Sequence, residues 1–381
     1  MNNFIHLWLG LASGIVVFMV CLTGTIFVFH EEINGLINHQ AMYIEVPKDA
    51  RRLTADAILE NLKQEHPQLM VSQYTEYDNP YRSLLLKAIN KEGPRGMSLC
   101  AIYVNPYSGE ILKISHVYGF FRMIAMLHIN LMLGKPGSYI VQISTVIFLI
   151  ELISGLIYWW PKKWSPTNLK KSFTLKTRAS WKRINLDLHN VLGFYVFPLA
   201  FLFTFTALII CYAPVKSAVF SWFGSTGKES PIYRIKHTVD SNRTSLPLET
   251  LIAPFRKELD QGQQLTSSLP SKRSGAILLQ IGESETLLTF KGKQQFVNQY
   301  SGDNIRIDED IQRADRLLNT TISLHIGAWY GLLGKTLTFI GCLICTSLPI
   351  TGFVIWYNRR FKKRTIVKQN NSLKGNKSIR K

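Results

Sequence analysis

Four apolar runs, roughly 4–29, 139–160, 191–214 and 335–357, constrain this chain more than anything else in it. About 20 apolar residues cross a hydrocarbon core of roughly 30 Å, so each run is long enough to span a bilayer. Within hydrocarbon every backbone polar group needs an internal partner, which makes each run a helix. Two polar stretches of about a hundred residues, near 34–138 and 215–334, separate the runs into pairs. Each is large enough for a small folded domain, though modest as an independent core.

Charge orients these helices. Of a net +19, the loop from Pro161 to Leu188 contributes eight Lys or Arg against the single acid Asp187. The segment from Asn358 to Lys381 contributes ten Lys or Arg and no acid. The remainder is close to neutral, with 26 bases and 24 acids. Under the positive-inside rule both basic segments face the cytoplasm, so both ends lie inside and both large domains outside. These bases flank membrane helices, and a nucleic-acid partner is not expected. The first run lacks a basic n-region and ends in Glu31-Glu32 instead of a small-residue cleavage site, so it reads as an uncleaved anchor.

The chain is a tandem duplication. His6 in HLWLG and His189 in HNVLG each precede a glycine by four residues, Gly10 and Gly193. Each also precedes a small-residue pair 17 positions on, Thr23-Gly24 and Thr206-Ala207. His128 in LHINLMLGK and His325 in LHIGAWYGLLGK lie shortly before the second and fourth runs. In the polar stretches, Val104-Asn105-Pro106-Tyr107-Ser108-Gly109-Glu110 recurs 193 residues later as Val297-Asn298-Gln299-Tyr300-Ser301-Gly302-Asp303. That tetrad of Tyr, Ser, Gly and an acid reads as a hairpin turn with glycine in the left-handed position. Helices are expected over 53–65 behind Thr54 and over 248–259. Strands are expected over 84–89, 99–104, 276–281 and 286–290.

Four of nine histidines thus occupy repeated places, and imidazoles repeated in a helical bundle point to haem or metal ligation. Topology puts His6 and His189 at one depth near the cytoplasmic ends, and His128 and His325 at one depth just beyond the outer surface. A pseudo-two-fold axis along the membrane normal brings each pair to a common site, where two axial donors about 4 Å apart suit a b-type haem. The competing reading is a set of interfacial histidines without a ligand. His30 lies 24 residues after His6, about 36 Å along a helix at ~1.5 Å per residue, and has Ala213 as its counterpart. It is expected at the interface, with ligation of an outer haem as the alternative. His39, His66, His116 and His237 are expected on the surface.

Other signals are fewer. Glu151 interrupts an apolar run and has two readings, a proton-handling group or a protonated interhelical hydrogen-bond partner. Arg122, Arg313 and Arg316 precede His128 and His325, and suit either haem propionates or interfacial anchoring. Cys342-x-x-Cys345 has the spacing of a redox pair but sits within an apolar run, where small packing residues serve equally. Only Cys100 of five cysteines lies outside those runs, so no outer-domain disulfide can form within one chain. C-x-x-C-H, HExxH, G-x-S-x-G, a P-loop and a strand-borne G-x-G-x-x-G are all missing from the sequence. Any NADH-linked step would therefore belong to another protein, or the donor is a membrane quinol.

The HxxxG openings and the LHI(N/G) segments are joined by two exits, Ser154-Gly155 to Trp159-Trp160-Pro161-Lys162 and Thr351-Gly352 to Trp356-Tyr357-Asn358-Arg359-Arg360. Together they resemble the PepSY-associated transmembrane family, up to about Arg364. The resemblance implies a membrane α-helical protein of four transmembrane helices in two pseudo-repeats, with two α+β PepSY-like periplasmic domains. The corresponding parts are helix 1 at 4–33, domain 1 at 34–117, an interfacial segment at 118–138 and helix 2 at 139–161. A basic loop at 162–188 leads to helix 3 at 189–214, domain 2 at 215–312, a second interfacial segment at 313–334, helix 4 at 335–357 and a basic tail at 358–381. The resemblance further implies two b haems on His6, His189, His128 and His325. It also implies reduction of periplasmic ferric siderophores in a bacterial inner membrane, fed by a quinol or a cytoplasmic reductase. PepSY domains are linked to protease regulation as well, so a regulatory membrane protein without electron transfer is the alternative.

Overall fold

The computed structural model describes residues 2–48, 51–93, 98–161, 163–226, 240, 242–270, 275–283 and 291–378. His237 and the strand expected over 286–290 lie outside them. The chain forms two compact units, one from residues 1–28, 127–212 and 330–381, the other from 29–126 and 213–329.

The first unit is helical. Its principal elements are α1 (Asn2–Phe27), α5 (Lys135–Trp159), α8 (Gly193–Cys211) and α12 (Gly331–Ser378). Helices α1 and α8 each pack against both α5 and α12. Small residues allow the approach: a Cβ on Gly14 would meet Pro349 at 3.7 Å, and one on Gly341 would meet Phe203 at 3.0 Å. Four spans are long and apolar enough to cross a membrane, at Phe4–Met42, Lys135–Trp159, Trp181–Cys211 and Ala328–Phe361. The third span begins earlier than expected, in α7 (Trp181–Asp187), and passes through a π-helical turn at Leu188–Leu192. Asp187, the one acid of the basic loop, is buried there and pairs with Arg183 at 2.8 Å. The fourth helix does not end near Tyr357 but continues through the tail to Ser378.

The second unit differs from the two separate domains expected. Its strands form one antiparallel sheet of eight, ordered β4-β3-β2-β1-β5-β6-β7-β8. Strands β1 (Leu69–Tyr77), β2 (Leu84–Asn90), β3 (Leu99–Val104) and β4 (Ile111–Ser115) come from the first repeat. Strands β5 (Gln264–Ser268), β6 (Ala276–Glu283), β7 (Lys291–Asn298) and β8 (Asn304–Ile305) come from the second. The halves join where β1 pairs with β5, Thr75 opposite Thr266, whose hydroxyls lie 3.1 Å apart. One hydrophobic core runs across the joint under α3 (Ala55–Glu65) and α10 (Leu248–Arg256), with Ile58, Leu86, Ile252 and Leu265 all buried. The opposite face packs Leu85, Ala101 and Tyr103 against Ala41 and Met42 of α2 (His30–Met42).

Carboxylates are exchanged between the two core helices. Asp56 at the start of α3 accepts from Leu248 and Glu249 N–H at 2.9 Å each, while Glu249 accepts from Ala55 N–H at 2.9 Å. Each acid thus satisfies the open N-terminus of the other helix. Arg256 then bridges Glu249 at 2.6 Å and the buried Glu76 at 2.7 Å. Burial raises the Glu249 carboxyl, but the Arg256 guanidinium and the Ala55 N–H outweigh it and hold the group below the usual carboxylate range.

Candidate cofactor site

In the helical unit the sequence-expected pair of His6 and His189 meets. Their ring centroids lie 6.4 Å apart with planes at 73°. His6 stands on the second turn of α1, and His189 lies within the π-helical turn. Such turns add a residue per ring and are common at functional sites. Two imidazoles bound trans to one metal, with bonds of about 2 Å and half a ring behind each nitrogen, have centroids about 6 Å apart. The observed separation fits that arrangement.

Each ring rests against the helix it faces, and its Nδ1 is engaged. His6 Nδ1 lies 3.0 Å from Ser154 Oγ, and His189 Nδ1 lies 2.9 Å from Thr351 Oγ1. The hydroxyls in turn donate to backbone carbonyls, Ser154 to Glu151 O at 3.1 Å and Thr351 to Ser347 O and Leu348 O at 2.9 and 3.0 Å. A hydroxyl whose proton is directed to a carbonyl accepts at its remaining contact, so each ring carries its proton on Nδ1. Nε2 is then the donor atom left for a metal, in the arrangement found where a second partner orients a ligating histidine.

His128, on α4 (Val117–Asn130), is held the same way. Its Nδ1 donates to Val20 O at 2.9 Å and sits 3.2 Å from Thr23 Oγ1, which itself donates to Met19 O and Val20 O. Burial lowers its pKa below the ordinary histidine value, the Val20 carbonyl acting in the opposite sense. Neutral imidazole is the ligating form. His325 lies in the sheet unit, half-buried, two residues before Gly327 closes α11 (Glu309–Ile326) with φ of 77°. Both pre-segments are therefore helical.

The remaining candidates divide. Arg122 and Arg316 are exposed, and among the described residues neither has a hydrogen-bond or ion-pair partner. Arg313 instead donates to Gly224 O at 2.6 Å, holding the turn where Gly224 has φ of 72°. His30 opens α2, is 2 % exposed, and stands edge-on to Phe121 at 5.8 Å. Glu151 faces Gly10, where an added Cβ would lie 3.1 Å from its Oε1. Cys345 is buried with Cys21 beside it in the packing of the helical unit. Among the described residues no group of three or more His, Cys, Asp or Glu could hold a metal ion. A bare ion takes about four protein donors at a structural site and three at a catalytic one. Two facing imidazoles instead suit a metal whose other donors come from a macrocycle. The seats for the imidazoles, Ser154-Gly155 and Thr351-Gly352, went unrecognised as partners in the sequence, although they recur at the 197-residue offset of His128 and His325.

Four spanning helices with a sheet-bearing polar unit define a membrane protein. The chain belongs to the family described as the PepSY-associated TM region, which matches residues 4–359. No curated protein sequence matches the chain significantly.

Proposed function

We propose that this is a bacterial inner-membrane di-haem b electron-transfer protein that reduces periplasmic ferric siderophores, Fe(III) to Fe(II), for iron uptake. The observation that carries the reading is the facing pair His6 and His189, 6.4 Å between centroids, each with Nδ1 engaged and Nε2 left to ligate. Haem, when bound, supplies reversible one-electron exchange at its iron. His6 and His189 would hold the inner group, and by their repeated places in the sequence His128 and His325 would be the ligands for the outer one. Arg122 and Arg316 offer unpartnered guanidinium groups suited to propionates. The basic loop and tail put both termini and the His6 site on the cytoplasmic side. A quinol or a cytoplasmic reductase is the donor, since the sequence holds no nucleotide motif. Two sites answer a bilayer of about 30 Å that one group cannot bridge. The lower charge of Fe(II) weakens its hold on hard oxygen ligands and frees it from the chelate. The regulatory alternative leaves the paired imidazoles without a role.

The test is a visible spectrum of the purified protein, oxidised and dithionite-reduced, with a count of b haem per chain. Two low-spin haems are expected, and His6→Ala and His189→Ala should each remove the same one. A colourless protein from haem-sufficient cells would overturn the reading, and loss of different haems in the two variants would overturn the pairing.

A further inference from the structure

One local arrangement occurs at least three times among the described residues of the helical unit, on three different helices. A Ser or Thr hydroxyl at position i accepts from an imidazole Nδ1–H. That hydroxyl donates to the carbonyl at i−3, and a glycine follows at i+1. The three are Ser154-Gly155 with Glu151 O facing His6, Thr351-Gly352 with Leu348 O facing His189, and Thr23-Gly24 with Val20 O facing His128. The first two correspond under the duplication; the third does not correspond to them, since it places a histidine of α4 on α1. The same grouping of ring, back-bonded hydroxyl and glycine is thus reached by two unrelated routes.

The glycines are part of it. A Cβ on Gly155 would lie 3.2 Å from His6 Cε1, and one on Gly352 would lie 3.2 Å from His189 Cε1. Both distances are tighter than ordinary contact, so a methyl group there must turn the ring. At Gly24 the distance to His128 Cε1 is 3.4 Å, an ordinary contact. The second repeat has Ala207 at the corresponding position.

We propose that Ser154-Gly155 and Thr351-Gly352 are positioning residues which fix the inner imidazoles as Nδ1–H tautomers in crossed planes, with Nε2 presented to the cofactor. The proposal rests on the haem reading for the identity of that cofactor. The hydroxyl supplies the acceptor that selects the tautomer, and the glycine supplies the flat bed that sets the ring plane. The 73° between the rings is the consequence with a direct readout. Axial imidazoles in crossed planes leave two iron d orbitals of low-spin ferric haem nearly degenerate, which gives a strongly anisotropic electron paramagnetic resonance signal. Rotation toward parallel planes lowers the largest g value.

The experiment uses the full-length protein in detergent with Thr351→Val, Thr351→Ser, Gly352→Ala, Gly24→Ala and the control Thr346→Val. Thr346 is also buried and also donates to a carbonyl, Cys342 O at 2.8 Å. Resonance spectra of the ferric protein and the rate of haem transfer to an apo-globin scavenger are measured. Thr351→Val should speed loss of one haem by about 10- to 100-fold, the scale for a lost outer partner of a ligand, and should move the inner signal. Thr351→Ser should restore both, and Gly352→Ala should lower the largest g value. Gly24→Ala and Thr346→Val should leave the inner signal in place. Haem-loaded wild type with unchanged signal and loss rate in both Thr351→Val and Gly352→Ala overturns this proposal alone. Haem-free wild type overturns the function proposed above, and this with it. Should Gly352→Ala fail to fold, the Thr351→Val and Thr351→Ser pair decides.

Discussion

The two repeats agree bond for bond in some places and diverge in chemistry at others. Their hairpin turns are the same: Asn105 N–H donates to Glu110 O and Gly109 N–H to Asn105 O, as Asn298 N–H does to Asp303 O and Gly302 N–H to Asn298 O. The glycines stand at φ of 80° and 77°. The imidazole seats also agree, Ser154-Gly155 matching Thr351-Gly352. Two of the divergent positions involve a charge. Glu151 of the first repeat is Leu348 in the second, and Arg256 of the second is Lys63 in the first. What persists in both copies is what any copy needs to fold or to hold a ring. What differs is a charge, and each difference has a separate physical consequence.

Arg256 breaks the symmetry most. Lys63 is exposed and reaches only Glu60 at 3.9 Å, whereas Arg256 neutralises the buried Glu76 and ties it to Glu249. Removing one partner of a buried ion pair leaves an uncompensated charge and costs about 3–5 kcal/mol. Arg256→Met should therefore lower the thermal midpoint strongly, while Lys63→Met should be near neutral. The pair also predicts a pH effect. Glu249 has a folded pKa below its unfolded value, so it contributes stability that is complete above about 4.3 and lost as pH falls through the lower folded value. Arg256→Met removes that depression, so acid unfolding should begin at higher pH. Equal midpoints and equal acid limbs for the two variants would mean that the bridge adds nothing to the joined sheet.

Glu151 sharpens the comparison in the other direction. One of its carboxyl oxygens is buried and has no hydrogen-bond partner among the described residues, and Gly10 leaves it room. The second repeat fills the matching place with Leu348, which packs beside Gly193. Glu151→Leu makes the repeats alike and should raise stability by about 1 kcal/mol, because a desolvated polar group is replaced by an apolar one. Haem content should stay at the wild-type value. A variant that is more stable yet loses haem or resists reduction would place the carboxyl in the chemistry of the inner site.

Much of this was legible in the chain. Run length alone gave four spanning helices, and the repeated tetrad placed both left-handed glycines. The strand at Leu99–Val104 and the cap at Thr54, which accepts from Ala57 N–H, were found by local pattern. The joint between β1 and β5 was not. Its second strand, Gln264–Ser268, reads QLTSS and carries no alternation of its own; it is a strand because β1 is beside it. The imidazole seats were hidden for a related reason. His6 and Ser154 are 148 residues apart, and a small residue before glycine looks like ordinary helix packing until the ring is placed on it.

The smallest effect tests the agreement of the repeats and not their divergence. Asn105 Oδ1 accepts from Tyr107 N–H at 2.9 Å, and Asn298 Oδ1 accepts from Tyr300 N–H at 2.9 Å. Replacing Asn298 with Ala removes this one hydrogen bond, and replacing Asn105 also removes a longer one from Ser108 N–H at 3.4 Å; each turn loses about 1 kcal/mol. The two turns end β3 and β7, which are five strand spacings apart in the sheet, or about 24 Å at ~4.8 Å each. Sites so separated without a shared partner add. Asn105→Ala and Asn298→Ala should therefore lower the thermal midpoint by similar amounts, Asn105→Ala slightly more, and the double variant should show the sum. A double variant that loses much more than the sum would show that the two hairpins are coupled through the β1–β5 joint. A single variant with more than twice the effect of the other would show that one hairpin, despite the shared Asn–Tyr bond, is the more strongly supported by its surroundings.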